Sequence, residues 1–228
     1  MHIPDGYLSP STCLTLGGVM LPVWYRATAV VKKNLDLARV PFMAMGAVFS
    51  FLIMMFNVPI PDGTSAHAVG AVLLAITLGP WAAVIATSVA LLIQALLFGD
   101  GGILAFGANA FNMAFLLPFS GYYVYQLTAR NAAVGSMRQI LAAGFAGYVG
   151  LNLAALATAI EFGIQPLLFV ATDGTPLYCP YGLEVAVPAM MLAHLTVAGV
   201  VEGLVTAMAL KFIARTSPEI LPACSAGR

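Results

Sequence analysis

Seven apolar stretches, near residues 11–31, 40–57, 66–78, 80–98, 103–127, 139–165 and 181–213, occupy most of this 228-residue sequence. A hydrocarbon core of about 30 Å is crossed by about 20 apolar residues as helix, and inside it every backbone polar group must be satisfied within the chain. Stretches of this length and continuity predict helices. Hydrophobic residues make up 61% and charged residues 8%, too little polar surface to clothe a water-soluble particle of this size. The expected fold is an all-α, multi-pass membrane protein of about seven transmembrane helices, forming one integral membrane metal-binding domain over residues 1–228.

Gly79-Pro80 separates the third stretch from the fourth. Glycine past a helix end and proline opening the next mark a tight reversal, whereas a single kinked span would reduce the count to six. Charge decides between them. With seven crossings and the N-terminus outside, Arg26, Lys32, Lys33, Arg39, Arg130, Arg138, Lys211, Arg215 and Arg228 all fall on the cytoplasmic side. Six crossings would place the last five outside, against the positive-inside rule. The N-terminus is therefore expected outside and the C-terminus in the cytoplasm.

A formal net charge of zero gives no basic surplus for nucleic acid, so the lipid bilayer is the expected surrounding partner. Cys13, Cys179 and Cys224 show no paired metal-ligand spacing and are expected to be inert. No basic segment, short apolar stretch and small-residue cleavage site open the chain, so it is expected to begin at Met1.

Asp5, Asp62, Asp100, Asp173 and Glu184 fall on or near the outer face, where they attract an arriving cation or are merely tolerated in outer loops. The third stretch is short. As a helix, Ala66–Leu78 covers roughly 20 Å, less than the bilayer core. Trp81 in the cytoplasmic turn favours an interfacial level there, which puts the recess at the outer end, with Ser65 as the expected N-cap and His67 at the mouth of an outward-open pocket.

Only three histidines occur, and His2 and His67 both belong to this outer end. A free terminus followed by His offers the α-amine, the deprotonated His2 amide nitrogen and imidazole Nδ1. The chelate rings these close hold all three nearly in a plane, and His67 is the candidate for a fourth nitrogen. Such a tetragonal set suits Ni(II) or Cu(II), with Co(II) accommodated by a change of geometry, and the lack of a Cys or Met ligand cluster argues against zinc-thiolate and Cu(I) chemistry. Otherwise His2 is a chance second residue and His67 a polar group at a helix N-terminus. Retention of Met1 is expected because His2 is too bulky for ordinary methionine removal, and Pro4-Asp5-Gly6 is turn chemistry able to fold the terminus back.

Gly99-Asp100-Gly101-Gly102 leads into a stretch bearing Asn109 and Asn112. These two, with Ser65 and Asp100, are candidates for orienting His67 or the N-terminal backbone; ordinary interhelical hydrogen bonding is the alternative. Glu161, His194 and Glu202 lie inside apolar segments and draw attention as intramembrane ionisable groups without an assigned partner. Glu161 and His194 are expected to border the pocket. Gly46, Ala47 and Ser50, with Gly144, Gly147 and Gly150, mark faces for close helix packing. No phosphate-binding loop, HExxH or GxSxG occurs, so the chain is expected to be neither an ATPase nor an enzyme.

Met1-His2-Ile3-Pro4-Asp5-Gly6-Tyr7-Leu8-Ser9-Pro10, Asn57-Val58-Pro59-Ile60-Pro61 leading to Ala66-His67-Ala68, and Leu97-Phe98-Gly99-Asp100-Gly101-Gly102 with Ala108-Asn109 together resemble the CbiM/NikM family. These are substrate-binding S components of energy-coupling-factor ABC transporters for cobalt and nickel, and the resemblance runs across essentially the whole chain. It implies a six-helix S-component bundle plus an extra N-terminal helix in the cell inner membrane. It also implies Ni2+ or Co2+ as bound substrate, with no organic cofactor, ligated by the Met1 amine, His2 through backbone and side chain, and His67. The implied partners are a transmembrane coupling (T) subunit, two cytoplasmic ATPase subunits and, in some systems, a small accessory membrane protein. The ligand motif serves both metals. Two other classes compete: a stand-alone secondary carrier or channel for divalent cations, against which no inverted repeat is visible, and a membrane metalloenzyme, supported only by His194 with Glu161.

Overall fold

The computed structural model describes residues 1–34, 36, 39–60 and 64–221. Its helices are α1 (Pro10–Asn34), α2 (Val40–Met54), α3 (Ala71–Leu78), α4 (Pro80–Ile93), α5 (Phe106–Asn109), α6 (Leu117–Thr128), α7 (Met137–Gly163), α8 (Gln165–Leu168), α9 (Leu183–Ala193) and α10 (Gly199–Thr216). Single π-helical turns extend α4 over Gln94–Phe98, join α5 to α6 over Ala110–Leu116, and join α9 to α10 over His194–Ala198. The described residues thus cross seven times, and four continuous runs are long and apolar enough to span a membrane by length and composition: Pro10–Asn34, Pro80–Phe98, Met137–Leu168 and Leu183–Thr216.

The alternation of helices gathers Lys32, Lys33, Arg39, Arg130, Arg138, Lys211 and Arg215 at the end of the bundle opposite Met1. The Arg26 guanidinium lies 5.5 Å from the Trp81 ring centroid, which ties the lower half of α1 to the α3–α4 reversal. That reversal forms at Gly79, whose φ of 90° only glycine adopts readily, followed by Pro80 opening α4. The helix α1 packs on α4 and α5 while most of its surface stays exposed, as expected for a helix added to the outside of a bundle.

The third stretch departs from expectation. Its outer part is no helix: Asn57–Ile60 (β1) and Thr64–His67 (β2) form an antiparallel ribbon in the register Asn57↔His67, Val58↔Ala66, Pro59↔Ser65 and Ile60↔Thr64. The β-branched Val58, Ile60 and Thr64 suit a pleated ribbon, and a two-stranded ribbon has free edges that tolerate Pro59. Ser65 is therefore a strand residue, not the N-cap. The helix begins only at Ala71, after Gly70 at φ 74°, and its eight residues rise about 12 Å, so the recess is deeper than the sequence implied. Asp62, in the ribbon's connection, and Cys224 and Arg228, near the C-terminus, lie outside the described residues.

The remaining helices hold this recessed unit. Gly144 and Gly147 let α7 approach α10 so closely that an added Cβ would sit 3.0 Å from the Gly203 carbonyl oxygen and 2.9 Å from Thr206 Oγ1, respectively. Cys13 and Cys179 are buried free thiols.

Candidate metal centre

The N-terminal segment enters the bundle from its outer end and is held at every second or third residue. The Ile3 N–H donates to Asn109 Oδ1 at 2.8 Å, and the Ile3 carbonyl accepts from Asn109 Nδ2 at 3.1 Å and from the Gly102 N–H at 2.8 Å. The Asp5 carboxylate accepts from the Ile103, Leu104 and Ala105 N–H groups, capping the α5–α6 run from a separate segment. Tyr7 accepts from the Cys179 N–H at 3.0 Å, and the Ser9 N–H donates to Gln165 Oε1 at 2.9 Å. The loop Gly99–Gly102 is shaped to receive this segment, since a Cβ on Gly101 would lie 3.3 Å from the His2 ring and one on Gly102 would overlap Asp5.

Met1, His2 and Ile3 are consequently buried. The Met1 α-nitrogen lies 3.5 Å from Ser65 Oγ, and the His2 carbonyl accepts from Thr64 Oγ1 at 3.1 Å, so β2 meets the terminus along its length. The His2 and His67 rings stack with centroids 4.5 Å apart and planes at 27°. His2 Nε2 donates to Gln94 Oε1 at 3.2 Å, and His67 Nδ1 donates to the Ala68 carbonyl at 3.1 Å. Each bond fixes a tautomer and leaves the lone pair on the other nitrogen. Those nitrogens, His2 Nδ1 and His67 Nε2, are buried without a hydrogen-bond partner among the described residues.

Asp100 Oδ1 stands 3.3 Å from His2 Nδ1 without forming a hydrogen bond. Lone pair and carboxylate thus confront one another, an arrangement that a cation relieves. Burial lowers the Met1 amine from 8.0 to about 4, opposed by the Asp100 charge. Burial, reinforced by the amine charge and opposed by Gln94, lowers His2 from 6.5 to about 3. Burial also raises the Asp100 carboxyl, against the pull of the amine. Near neutral pH the amine and imidazole nitrogens are therefore uncharged donors.

Among the described residues, no three His, Cys, Asp or Glu residues gather into a metal-sized cluster. What gathers instead is a pair of imidazoles with main-chain nitrogen. Met1, His2, Ser65, His67, Asp100 and Asn109 come together here. Asn112 does not: its Nδ2 donates at 2.8 Å to Glu161 Oε2, one turn further into the bundle. Glu161 is thereby paired with Asn112, and His194, held through Nδ1 to the Met190 carbonyl at 2.7 Å, leaves its own Nε2 buried without a hydrogen-bond partner among the described residues. Sequence reasoning missed Gln94, Thr64 and the capping by Asp5. Gln94 had one visible signal, being the lone amide in an otherwise apolar run before Gly99.

Several known proteins are similar to this chain. The family described as CbiM, cobalt uptake substrate-specific transmembrane region, matches residues 2–220. A fused nickel transport protein, NikMN, of Rhodobacter capsulatus is 55% identical over 221 residues, covering 97% of this chain and 64% of that protein. A probable fused nickel transport protein, LarMN, of Lactiplantibacillus plantarum is 51% identical over 222 residues, covering 96% of this chain and 66% of that protein. The chain thus spans just under two thirds of either fused relative. A crystal structure of a truncated transition metal transporter is 59% identical and superposes with a TM-score of 0.90, covering 94% of this chain and 99% of that one. A match across nearly the full chain, together with this identity and this fold, makes the protein a membrane-spanning member of the CbiM cobalt uptake substrate-specific family.

Proposed function

We propose that this protein captures one Ni2+ or Co2+ ion from outside the cell inner membrane and serves as the substrate-binding component of an energy-coupling-factor transporter. The observation that carries the reading is the stacked His2–His67 pair, whose His2 Nδ1 and His67 Nε2 lone pairs are buried and unclaimed beside the buried Met1 nitrogen. The donor set is the Met1 α-amine, the His2 amide nitrogen after loss of its proton, His2 Nδ1 and His67 Nε2. Ser65 receives the amine, Asp100 supplies the opposing charge, Asn109 holds the Ile3 backbone, and Gln94 sets the His2 tautomer. Outer-shell partners of this kind orient ligands and tune affinity.

Membership in a substrate-specific family and the nickel transport described for the fused relatives support the metal assignment. Four nitrogens near one plane favour nickel, while cobalt is served by a modest change of coordination. The sequence has no phosphate-binding loop, so the energy is assigned to partners: a transmembrane coupling subunit and cytoplasmic ATPases, with an accessory membrane protein where the system uses one.

The test is metal titration of the purified full chain. It should bind about one Ni(II) or Co(II), and His2→Ala, His67→Ala and acetylation or extension at Met1 should each remove tight binding. Tight binding retained by an extended or acetylated protein would sink the assignment of the amine as a ligand.

A further inference from the structure

A carboxylate buried in a membrane helix demands compensation, and Glu202, at the start of α10, is fully buried with no cation pairing with it among the described residues. Its compensation is main chain. Oε2 accepts from the Val69 N–H at 2.7 Å and the Gly70 N–H at 2.9 Å, and Oε1 accepts from the Gly70 N–H at 3.1 Å. These donors sit between His67 and α3, where the ribbon turns into the recessed helix.

The same short segment is gripped from a second side. Ser50 Oγ of α2 donates to the Val69 carbonyl at 2.7 Å. One residue earlier, the Ala68 carbonyl accepts from His67 Nδ1, the bond that leaves the Nε2 lone pair free. A connected path therefore runs from the Glu202 carboxylate through the Val69 and Gly70 amides and the Ala68 carbonyl to the imidazole. At the carboxylate end of this path α10 is seated on α7, where a Cβ on Gly147 would lie 3.2 Å from the Glu202 carbonyl oxygen. The carboxylate thus stands at a height set by helix packing.

We propose that Glu202 is the positioning residue for the His67 ligand: it sets where Nε2 stands, and so ties the metal centre to α10, which runs to the cytoplasmic end of the bundle. The inference rests on the ligand assignment above and adds to it the group that orients the fourth nitrogen. A carboxylate that merely capped α3 would change stability and leave the metal's coordination untouched.

Glu202→Gln keeps the shape but turns an amide N–H toward a backbone N–H. Its Ni(II) affinity is expected to fall about tenfold to a hundredfold, the range for loss of an outer partner. With Cu(II) as the probe, the visible absorption band of the bound ion should shift in the same direction as in His67→Ala. A double-mutant cycle with Cu(II), which binds a given nitrogen site more tightly than Ni(II) and remains measurable on the three-donor terminus, completes the test. Glu202→Gln should add no further loss in the His67→Ala background. Additive losses, or an unshifted band in Glu202→Gln, overturn the proposal. Wild-type affinity in His67→Ala alone would overturn the ligand assignment itself, a separate result. Should Glu202→Gln fail to fold, Ser50→Ala releases the same segment from the α2 side, and a smaller band shift of the same sign is expected; an unchanged band there counts against the proposal.

Discussion

The imidazoles of His2 and His67 lie stacked, centroids 4.5 Å apart, although one belongs to the N-terminal segment and the other to a strand of the recessed ribbon. Stacking and ligation are separable. His67→Phe keeps an aromatic face against His2 but supplies no nitrogen. We expect the terminus to stay docked, with the Ile3 and Ser9 amides still protected from hydrogen exchange, while Ni(II) affinity drops by more than about a hundredfold, beyond the range for an outer partner. Loss of protection together with affinity would mean that His67 acts chiefly by packing.

Acid should release the terminus. The Met1 amine falls from 8.0 to about 4 and the His2 imidazole from 6.5 to about 3 on burial, so the undocked segment binds more protons between those values. Docking free energy therefore rises with pH: it is complete above about pH 8 and is lost progressively toward about pH 4. In the metal-free protein, Ile3 and Ser9 amide protection should decline from about pH 7.5 to about pH 5 after correction for intrinsic exchange. Metal affinity should fall with the same sign, by about tenfold per pH unit, because the proposed donor set forms only with loss of the His2 amide proton. A flat affinity between about pH 8 and about pH 6 would contradict nitrogen-only ligation.

Asp5 latches the segment and stands outside the proposed donor set. Its carboxylate accepts three N–H groups, from Ile103, Leu104 and Ala105. Asp5→Ala is expected to weaken metal binding by about tenfold, in line with about 1–2 kcal/mol for charge-assisted bonds at a partly exposed site. The absorption band of the bound ion should not move. Gly102→Ala, whose new Cβ would overlap Asp5, should reproduce that phenotype. A shifted band in either variant would place Asp5 closer to the coordination sphere than the structure does.

Gly70 joins the ribbon to α3 with φ 74°, and a Cβ there would strike the Phe49 ring. Gly70→Ala combines about 1–2 kcal/mol of backbone strain with that overlap and should lower the thermal midpoint. A Phe49→Leu background should recover the part due to overlap and leave the part due to φ. Full recovery would show that the backbone shifts out of the left-handed region at no cost.

Hydrophobic run length and the placement of Lys and Arg determined the number of crossings and their direction, because solvation by lipid acts on each segment almost independently of its neighbours. Gly79-Pro80 located the cytoplasmic reversal through backbone stereochemistry alone. The histidines and the nearby Ser65, Asp100 and Asn109 were legible as candidates because ionisable and amide side chains are rare in such a chain. Tertiary structure decided what local sequence could not. Residues 64–67 form a strand because β1 pairs with them and because Gly70 and the distant Glu202 terminate and satisfy the backbone before α3. Asn112 pairs with Glu161 while Asn109 grips Ile3, a division set by helix rotation and the intervening π turn. Which imidazole nitrogens keep their lone pairs was likewise fixed by Gln94 and the Ala68 carbonyl, a contact from another helix and a local turn that no spacing rule encodes.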